Sequence, residues 1–326
     1  MRDSSCWIWS GRRLVSANIA NIIERSIEPP VRDLGDGFYV RRALPSVECR
    51  TVGPFVFFDQ FGPASFAAGA GLDVRPHPHI GLATVTYLFE GEIVHRDSLG
   101  SAQTIRAGDV NWMVAGRGIA HSERTGADTR CQASSLAGIQ SWVALPQDEE
   151  ERPASFAHHA ARDLPLIDGN GRRIRIIAGS LFGERAPVAT FSAMGYADAL
   201  LEPGAVLEFG GEHEQSAVYV VEGALEVAGV RFGEARLLLP RAHERVTLRA
   251  IDKTRLMLLA GAPLDGPRYV WWNFVSSSRE RIEQAKHDWR DGRFGAVPGD
   301  ASEFIPLPPG ALSEPAPRSA AEGEVL

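Results

Sequence analysis

The fold is decided by the stretch Thr84–Val114, "TVTYLFEGEIVHRDSLGSAQTIRAGDVNWMV", in which short apolar runs alternate with turn residues. Its first run is rich in β-branched and aromatic residues, and Glu90-Gly91 follows it as a turn. The other runs and turns are Ile93–Arg96, Leu99–Ser101, Ala107–Asp109 and Val110–Val114. Because no helical periodicity separates these runs, we predict an antiparallel meander and exclude alternating β-α-β units.

A second series of the same kind runs from Ile174 to Ala262. Within it, Ala217–Pro240, "AVYVVEGALEVAGVRFGEARLLLP", repeats the order strand, Glu-Gly turn, strand, Gly turn and strand. A chain of 326 residues is longer than a usual domain, so two domains or one large all-β unit are both expected. The repeat favours duplication of one β-domain.

The segments around these two series have a different character. Leu145–Asp168 is acidic and contains Pro, which indicates a linker and strands that cross between the halves. Ser278–Arg290 places its apolar residues on one face and predicts a helix. The tail after Pro306 is biased toward Pro, Ala and Glu, so we expect it to be flexible and to carry no core. The first 25 residues resemble no export signal and predict an extension or mobile arm.

The composition excludes several classes of function. A net charge of -7 and a pI near 5.8 argue against direct binding to nucleic acid, which normally needs a basic face. The cysteines are only three, Cys6, Cys49 and Cys131, odd in number and far apart, so neither a disulfide framework nor a CxxC motif is available. We therefore expect a reducing cytoplasm. No apolar run approaches the roughly 18 residues of a membrane helix, so we expect no membrane partner.

Two pairs of metal-binding residue types repeat the same spacing. His77 and His79 lie in "VRPHPHIG", and His121 and Glu123 lie in "AHSER", 44 positions further on. On a strand, residues i and i+2 point to the same face with Cα atoms roughly 6.5 Å apart, so each pair can bind one metal ion. A meander that returns to the same barrel mouth would bring the two pairs together. The sequence therefore predicts a metal site.

Three imidazoles and one carboxylate suit a divalent transition metal such as iron, copper, nickel, manganese or zinc. In an octahedral shell these four ligands leave two positions for dioxygen or a bidentate substrate, unlike a closed structural zinc site. His95, on the intervening strand, is either a group that supports the ligands or a residue of a solvated strand beside Arg96 and Asp97.

At these residues the sequence resembles the pirin family of the bicupin superfamily. The resemblance covers roughly residues 28–295 and ends in "DGRFG", Asp291–Gly295. The segments that carry it are "RRALPSVECRTVGPFVFFDQFGP" (Arg41–Pro63), "HPHIGLATVTYLFEG" (His77–Gly91), "GDVNWMVAGRGIAHSE" (Gly108–Glu123) and "GIQSWVALP" (Gly138–Pro146).

The resemblance implies an all-β fold of two cupin (double-stranded β-helix, or jelly-roll) barrels in tandem with a C-terminal helix. It divides the chain into an N-terminal extension, a metal-binding cupin domain, a second cupin domain and a flexible tail. Their bounds are residues 1–27, 28–150, 151–295 and 296–326. Carried over position by position, the metal ligands are His77, His79, His121 and Glu123, and the family metal is commonly iron, Fe(II).

The resemblance also implies two alternative functions. Some pirins resemble quercetin 2,3-dioxygenases, which open a flavonol ring with dioxygen, whereas others are redox-sensitive partners of transcription regulators or metabolic enzymes. A sugar-isomerising or sugar-epimerising cupin fits the whole-chain resemblance less well. In the second domain His213 stands alone among carboxylates and His243 lies at a different spacing, so we expect no second metal there.

For the dioxygenase we expect Glu123 to act as the catalytic base that takes the proton of the flavonol hydroxyl. To do so it must detach at least partly from the metal, because a tightly ligated carboxylate has lost basicity. Aromatic residues could form the wall against a planar substrate. The candidates are Phe57, Phe58, Phe61 and Trp142.

Overall fold

The computed structural model describes Ile19 and residues 22–33, 38–311 and 324–325. The described residues form two compact units, each discontinuous in sequence. The N-terminal barrel contains the described residues of Val31–Pro45, Phe55–Ala161 and Leu264–Leu326. The C-terminal barrel contains those of Met1–Pro30, Ser46–Pro54 and Arg162–Pro263.

The N-terminal barrel is built almost entirely from strands. Its strands are β2 (Val31–Asp33), β3 (Tyr39–Leu44), β4 (Phe55–Phe66), β5 (Asp73–His79), β6 (Leu82–Glu90), β7 (Glu92–Asp97), β8 (Ala102–Arg106), β9 (Val110–Val114), β10 (Ile119–Arg124), β11 (Ser134–Ala144), β12 (Ser155–His159), β24 (Tyr269–Trp271), β25 (Phe274–Ser276) and β26 (Glu324–Val325). Its helices are α1 (Ala127–Arg130) and α2 (Arg279–Arg290), with short 3-10 turns at Gln147–Glu149 and Ala161–Asp163.

Two sheets enclose the core of the N-terminal barrel. One has the order β12-β9-β6-β11-β4-β3-β2, and the other has the order β5-β10-β7-β8. Val56, Leu82, Met113 and Trp142 belong to one buried apolar cluster between the strands. The predicted strand runs are present, but the simple meander is wrong, because β6 pairs with β9 and β11 while β7 pairs with β8 and β10.

The reason for this difference is the turn between β6 and β7. Gly91 has a φ of +82°, and a Cβ at this position would collide with the backbone oxygen of Ser135. A glycine is needed where the backbone must adopt this left-handed conformation and pass so close to another strand. The turn sends β7 into the second sheet, and the result is a jelly roll.

The C-terminal barrel repeats this arrangement. Its strands are β1 (Ile23–Ile27), β13 (Leu166–Gly169), β14 (Arg172–Leu181), β15 (Glu184–Arg185), β16 (Met194–Leu201), β17 (Val206–Gly210), β18 (Gln215–Glu222), β19 (Ala224–Val227), β20 (Val230–Gly233), β21 (Arg236–Pro240), β22 (Arg245–Ala250) and β23 (Thr254–Gly261). One sheet has the order β1-β21-β18-β23-β16-β14-β13, with β15 on β14, and the other has the order β17-β22-β19-β20. This matches the strand order of the N-terminal barrel, so the predicted all-β pair of cupin domains is confirmed.

The compact units differ from the continuous domains expected from the sequence. Residues 23–27, assigned to an extension, form β1 and pair with β21. Residues 264–295, assigned to the second domain, belong to the N-terminal barrel. The expected linker carries β12, which pairs with β9, and β13, which pairs with β14. Strand pairing between distant segments, which no local pattern encodes, accounts for these differences.

The predicted helix is present as α2, and Ser278 caps it by accepting a hydrogen bond from the Arg281 backbone N–H. The expected flexible tail of residues 296–326 has core contacts, and the expectation that the part after Pro306 carries no core is wrong for Leu307, which packs partly buried against the cluster of Trp289. Val297 is buried in the same cluster as Trp289, and the Ile305 N–H donates to the Pro76 carbonyl at 2.8 Å. The extension before Ile19 and residues 312–323 lie outside the described residues.

Among the described residues, no helix has both the length and the apolar character needed to cross a membrane.

Candidate metal centre

The two predicted ligand pairs lie side by side on neighbouring strands. β5 carries His77 and His79, β10 carries His121 and Glu123, and the two strands pair antiparallel with His121 opposite His77. The register shifts by one residue between His121 and Glu123, so the pairing is locally irregular there. β5 is the edge strand of its sheet, where Pro76 and Pro78 are tolerated because one side of the strand needs no ladder hydrogen bonds.

The three histidines converge inside the barrel. Their ring centroids lie 4.4 Å apart for His77 and His121, 5.0 Å for His77 and His79, and 5.1 Å for His79 and His121. One ring nitrogen from each lies within 4.8 Å of the others, and all three side chains are buried. Such a cluster has the size and the donor type to hold one metal ion.

Backbone carbonyls orient two of the imidazoles. His77 donates from Nδ1 to the Arg75 carbonyl at 2.9 Å, and His79 donates from Nδ1 to the Asn273 carbonyl at 3.1 Å. These bonds leave the Nε2 lone pairs available. A hydrogen bond on the opposite ring nitrogen is how metal-binding histidines are usually held in one tautomer and one orientation.

His121 provides the observation that fits a metal best. Its side chain is 1% exposed, yet neither Nδ1 nor Nε2 has a hydrogen-bond partner among the described residues. A buried polar atom without a partner is costly and needs an explanation. A metal ion between the three rings would satisfy one of these nitrogens.

Burial keeps the imidazoles neutral, which is the form that binds metal. It lowers the pKa of His77 to about 4. Burial, followed by the neighbouring imidazoles, holds the pKa values of His79 and His121 well below the usual range. A neutral ring keeps a lone pair for coordination, so the site is ready to accept a cation near neutral pH.

Glu123 lies next to the three histidines but is held by another partner. Its carboxylate accepts a hydrogen bond from the Thr86 hydroxyl at 2.7 Å. It falls in a second potential metal-binding group with His95 and His121, and the two groups share His121. Burial raises the pKa of Glu123, and the Thr86 bond opposes that rise. The structure thus brings the three imidazoles together and places Glu123 beside them.

Burial decides whether His95 supports the ligands or belongs to a solvated strand. The ring is 2% exposed, lies 3.1 Å from Asp97 through Nε2, and stacks on Phe156 at a centroid distance of 4.3 Å. Asp97 is held in turn by the backbone N–H groups of Leu99 and Ser101. His95 is therefore not a residue of a solvated strand, and it lies where it can support Glu123 and His121.

A cavity of about 980 Å³ opens onto His77, His79 and Glu123. Three of the predicted aromatic residues, Phe57, Phe61 and Trp142, line it, whereas Phe58 does not. Phe58 is fully buried, because successive residues of β4 point to opposite faces. Sequence reasoning missed Trp272, Asn273 and Ile305, which also line the cavity and come from the end of the chain. No local pattern marks them.

The aromatic wall forms a continuous stack beside His79. Trp142 meets the His79 ring edge-on at 5.2 Å and stacks on Phe57 at 4.1 Å, with an interplanar angle of 14°. The guanidinium of Arg42 lies 4.5 Å from the Phe57 ring centroid. Rings packed this tightly form a rigid apolar wall beside the histidines.

The C-terminal barrel carries different chemistry at the corresponding strands. In β17 and β22, the counterparts of β5 and β10, the buried positions are apolar. His213 instead donates from Nε2 to the Ser180 carbonyl at 3.1 Å, and His243 is exposed. The absence of a second metal in this barrel stays a prediction, and the apolar side chains support it. They are Leu207, Phe209, Val246, Leu248 and Ala250.

Comparisons with known proteins match both barrels. The family profile Pirin matches residues 37–143, and the profile Pirin C-terminal cupin domain matches residues 196–295. A pirin-like protein of Caulobacter vibrioides is 47% identical over 85% of this chain and 96% of its own length. A Pseudomonas aeruginosa protein, provisionally named a quercetin 2,3-dioxygenase, is 37% identical over 85% of this chain and 87% of its own.

Solved structures show the same fold. The crystal structure of a quercetin 2,3-dioxygenase from Acinetobacter baumannii has a TM-score of 0.81 and 29% identity, covering 92% of this chain and 97% of that one. A bacterial pirin from Escherichia coli in complex with nickel(II) has a TM-score of 0.58 and 18% identity. The match covers 73% of this chain and 96% of the Escherichia coli chain. At 18% identity it supports a shared fold only.

Proposed function

This chain belongs to the pirin family, and from that premise we propose that it is a metal-dependent dioxygenase that opens a flavonol ring with dioxygen. The proposed ligands are His77, His79, His121 and Glu123. The observation that carries the proposal is the buried cluster of three imidazoles in which both nitrogens of His121 lack a partner among the described residues. The names of the relatives and the adjoining cavity point to the substrate class.

We propose Fe(II) as the metal. Imidazole nitrogen with a single carboxylate suits iron among the first-row metals, and copper, nickel, manganese and zinc are accepted by similar donor sets. Bound between the histidines, the metal would act as a Lewis acid and as a template for substrate and dioxygen. The hydrogen bonds that His77 and His79 donate from Nδ1 would hold their Nε2 atoms in fixed positions for coordination.

Glu123 is the proposed base. It would take the proton of the flavonol hydroxyl on a carboxylate oxygen, and its raised pKa favours accepting that proton. The Thr86 hydroxyl holds this carboxylate beside the three histidines and can keep it oriented while the proton moves. Trp142 would pack against the planar ligand and exclude water from the histidines.

The site of action that we propose is the reducing cytoplasm. Cys49 and Cys131 are both free thiols. Free cysteines persist most readily in a reducing compartment.

The experiment begins with protein purified without a metal-binding tag. Metal content is measured by mass spectrometry, and flavonol loss is followed together with dioxygen uptake. His77→Ala is the test variant, and His287→Ala, an exposed histidine on α2, is the matched control. Many turnovers per chain that require His77 and not His287 would support the dioxygenase.

Stoichiometric metal without turnover would contradict the dioxygenase. The remaining function would then be a redox-sensitive interaction protein for a transcription factor or a metabolic enzyme. Such a protein should capture its partner in one metal oxidation state and release it in the other, which a pull-down at two potentials measures.

A further inference from the structure

We propose that the cavity beside the three histidines recognises an anionic aromatic ligand, whose acidic group is bound by Arg41 and Arg75 on the cavity wall. This inference rests on the proposed function and specifies its substrate class. Both arginines line the same cavity as His77 and His79.

The pairing of charges on the cavity wall leads to this assignment. Asp59 is engaged by Arg42, and Asp73 is engaged by Arg124 and Arg130. The wall's remaining carboxylate, Glu123, belongs to the metal centre. By contrast, the side chains of Arg41 and Arg75 have no ion-pair or hydrogen-bond partner among the described residues. The wall thus retains two guanidinium groups for which the described residues supply no acceptor.

Arg42 is a fixed guanidinium on the cavity wall. It donates from Nε and Nη2 to the two oxygens of Asp59, at 2.9 and 2.8 Å, and it lies over the Phe57 ring. Both bonds use one side of the guanidinium, so Nη1 is left out of the pair. A fixed guanidinium loses little freedom when it binds a further acceptor, which favours recognition of carboxylate or sulfonate oxygens.

The aromatic wall favours an aromatic ligand. The contacts that run from His79 through Trp142 and Phe57 end at Arg42, so a ligand along them would reach from the histidines to the strand that also carries Arg41. The chain as a whole carries a net charge of -7, which repels anions at long range. Arg41 and Arg75 would counter this repulsion at the cavity wall.

The test compares two probes that share the enol and carbonyl groups and differ in charge: quercetin and quercetin sulfonated on its outer phenyl ring. Dissociation constants are measured anaerobically by quenching of tryptophan fluorescence, with the metal-loaded full-length chain at low and high salt. Without dioxygen, binding is separated from turnover. We expect the sulfonated probe to bind at least about tenfold more tightly at low salt, with a smaller preference at high salt.

The variants are Arg41→Gln, Arg75→Gln and the double variant. Since these side chains have no partner among the described residues, the fold should be unaffected, whereas removing Arg42 would leave the buried Asp59 unpaired. Each single change should reduce the charge preference about two- to fivefold, and the double change should nearly abolish it. Arg249→Gln is the matched control, because Arg249 is exposed on β22 and also has no partner among the described residues.

Equal binding of the two probes by the wild type, or an unchanged preference in the double variant, would overturn the inference. A charge preference that depends on Arg41 and Arg75 would support the inference of an anionic ligand. If neither probe were turned over with dioxygen, the absence of turnover would contradict the proposed dioxygenase and not this inference. If the wild type turned over quercetin but showed no charge preference, the result would support the proposed dioxygenase and contradict the inference of an anionic ligand.

Discussion

His121 lies directly opposite His77 in the β5–β10 register, and their ring centroids are 4.4 Å apart. The pairing of these two strands converts two motifs that are 44 positions apart in sequence into one buried cluster. His79 completes the cluster because it points to the same face as His77. Glu123 follows His121 after an irregularity in the register and lies against Thr86.

The first prediction separates the two roles of Glu123. Glu123→Gln keeps the size of the side chain and removes its ability to accept a proton. We expect turnover to fall at least about a hundredfold while most of the bound metal is retained, because three imidazoles remain. Metal content and flavonol turnover are measured on the same preparation. If metal and turnover fell together, Glu123 would be only a ligand.

The second prediction concerns the stability of the metal-free protein as a function of pH. His77 has a folded-state pKa of about 4, below its ordinary value near 6.5, so the unfolded chain binds more protons between these values. The contribution of His77 to stability is therefore present above about pH 6.5 and is lost as the pH falls toward 4, by at most about 3 kcal/mol.

His77→Gln isolates this effect. Glu123, whose pKa is raised by burial, contributes a slope of the opposite sign in both proteins, so it cancels in the comparison. Urea unfolding at a series of pH values measures the difference. Parallel stability curves for the wild type and the variant would show that His77 titrates at the same pH in both the folded and the unfolded chain.

The third prediction concerns a buried ion pair that secures the segment before β24. Arg268 is fully buried, and its Nε lies 2.8 Å from Glu150, which also accepts hydrogen bonds from the Ser276 and Ser277 hydroxyls. Arg268→Ala would leave Glu150 buried with its charge uncompensated, and we expect a loss of about 3–5 kcal/mol in the free energy of unfolding.

The control is Arg173→Ala, because Arg173 is exposed and its ion pair with Asp168 is long, at 3.7 Å. This variant should lose no more than about 1 kcal/mol. Denaturant unfolding measures both. Equal effects for the two variants would mean that the buried pair does not hold the segment.

The fourth prediction concerns the residues that close the cavity from the end of the chain. Arg124 donates to Asp300 at 2.6 and 3.0 Å and to Glu303 at 2.8 Å, and the next residues bring Ile305 to the cavity wall. In Arg124→Gln we expect hydrogen exchange of the Ile305 amide to accelerate about fivefold, because its bond to the Pro76 carbonyl opens more often.

Arg290→Gln breaks an exposed ion pair with Asp291 and should leave exchange at Ile305 unchanged. Hydrogen exchange followed by mass spectrometry measures both variants. Full protection of Ile305 in Arg124→Gln would show that the ion pairs do not hold this segment.

Much of the fold follows from local patterns in the sequence. The alternation of side chains and the Gly turns predict β6, β7 and β9, and the i, i+2 spacing predicts that His77 and His79 share a face. The sequence does not show that β6 and β7 enter different sheets, because register and sheet partners depend on contacts between distant residues. For the same reason it does not reveal that Trp272, Asn273 and Ile305 line the cavity.

The central claim is that the three buried imidazoles bind one metal ion. Its most direct test is the metal content of the tag-free, reconstituted protein by mass spectrometry, for the wild type and for His121→Ala, with circular dichroism to verify the fold. We predict about one divalent transition metal per wild-type chain and less than about a tenth of that in the variant. A folded wild type that takes up no metal, or a variant that retains it fully, would contradict the account.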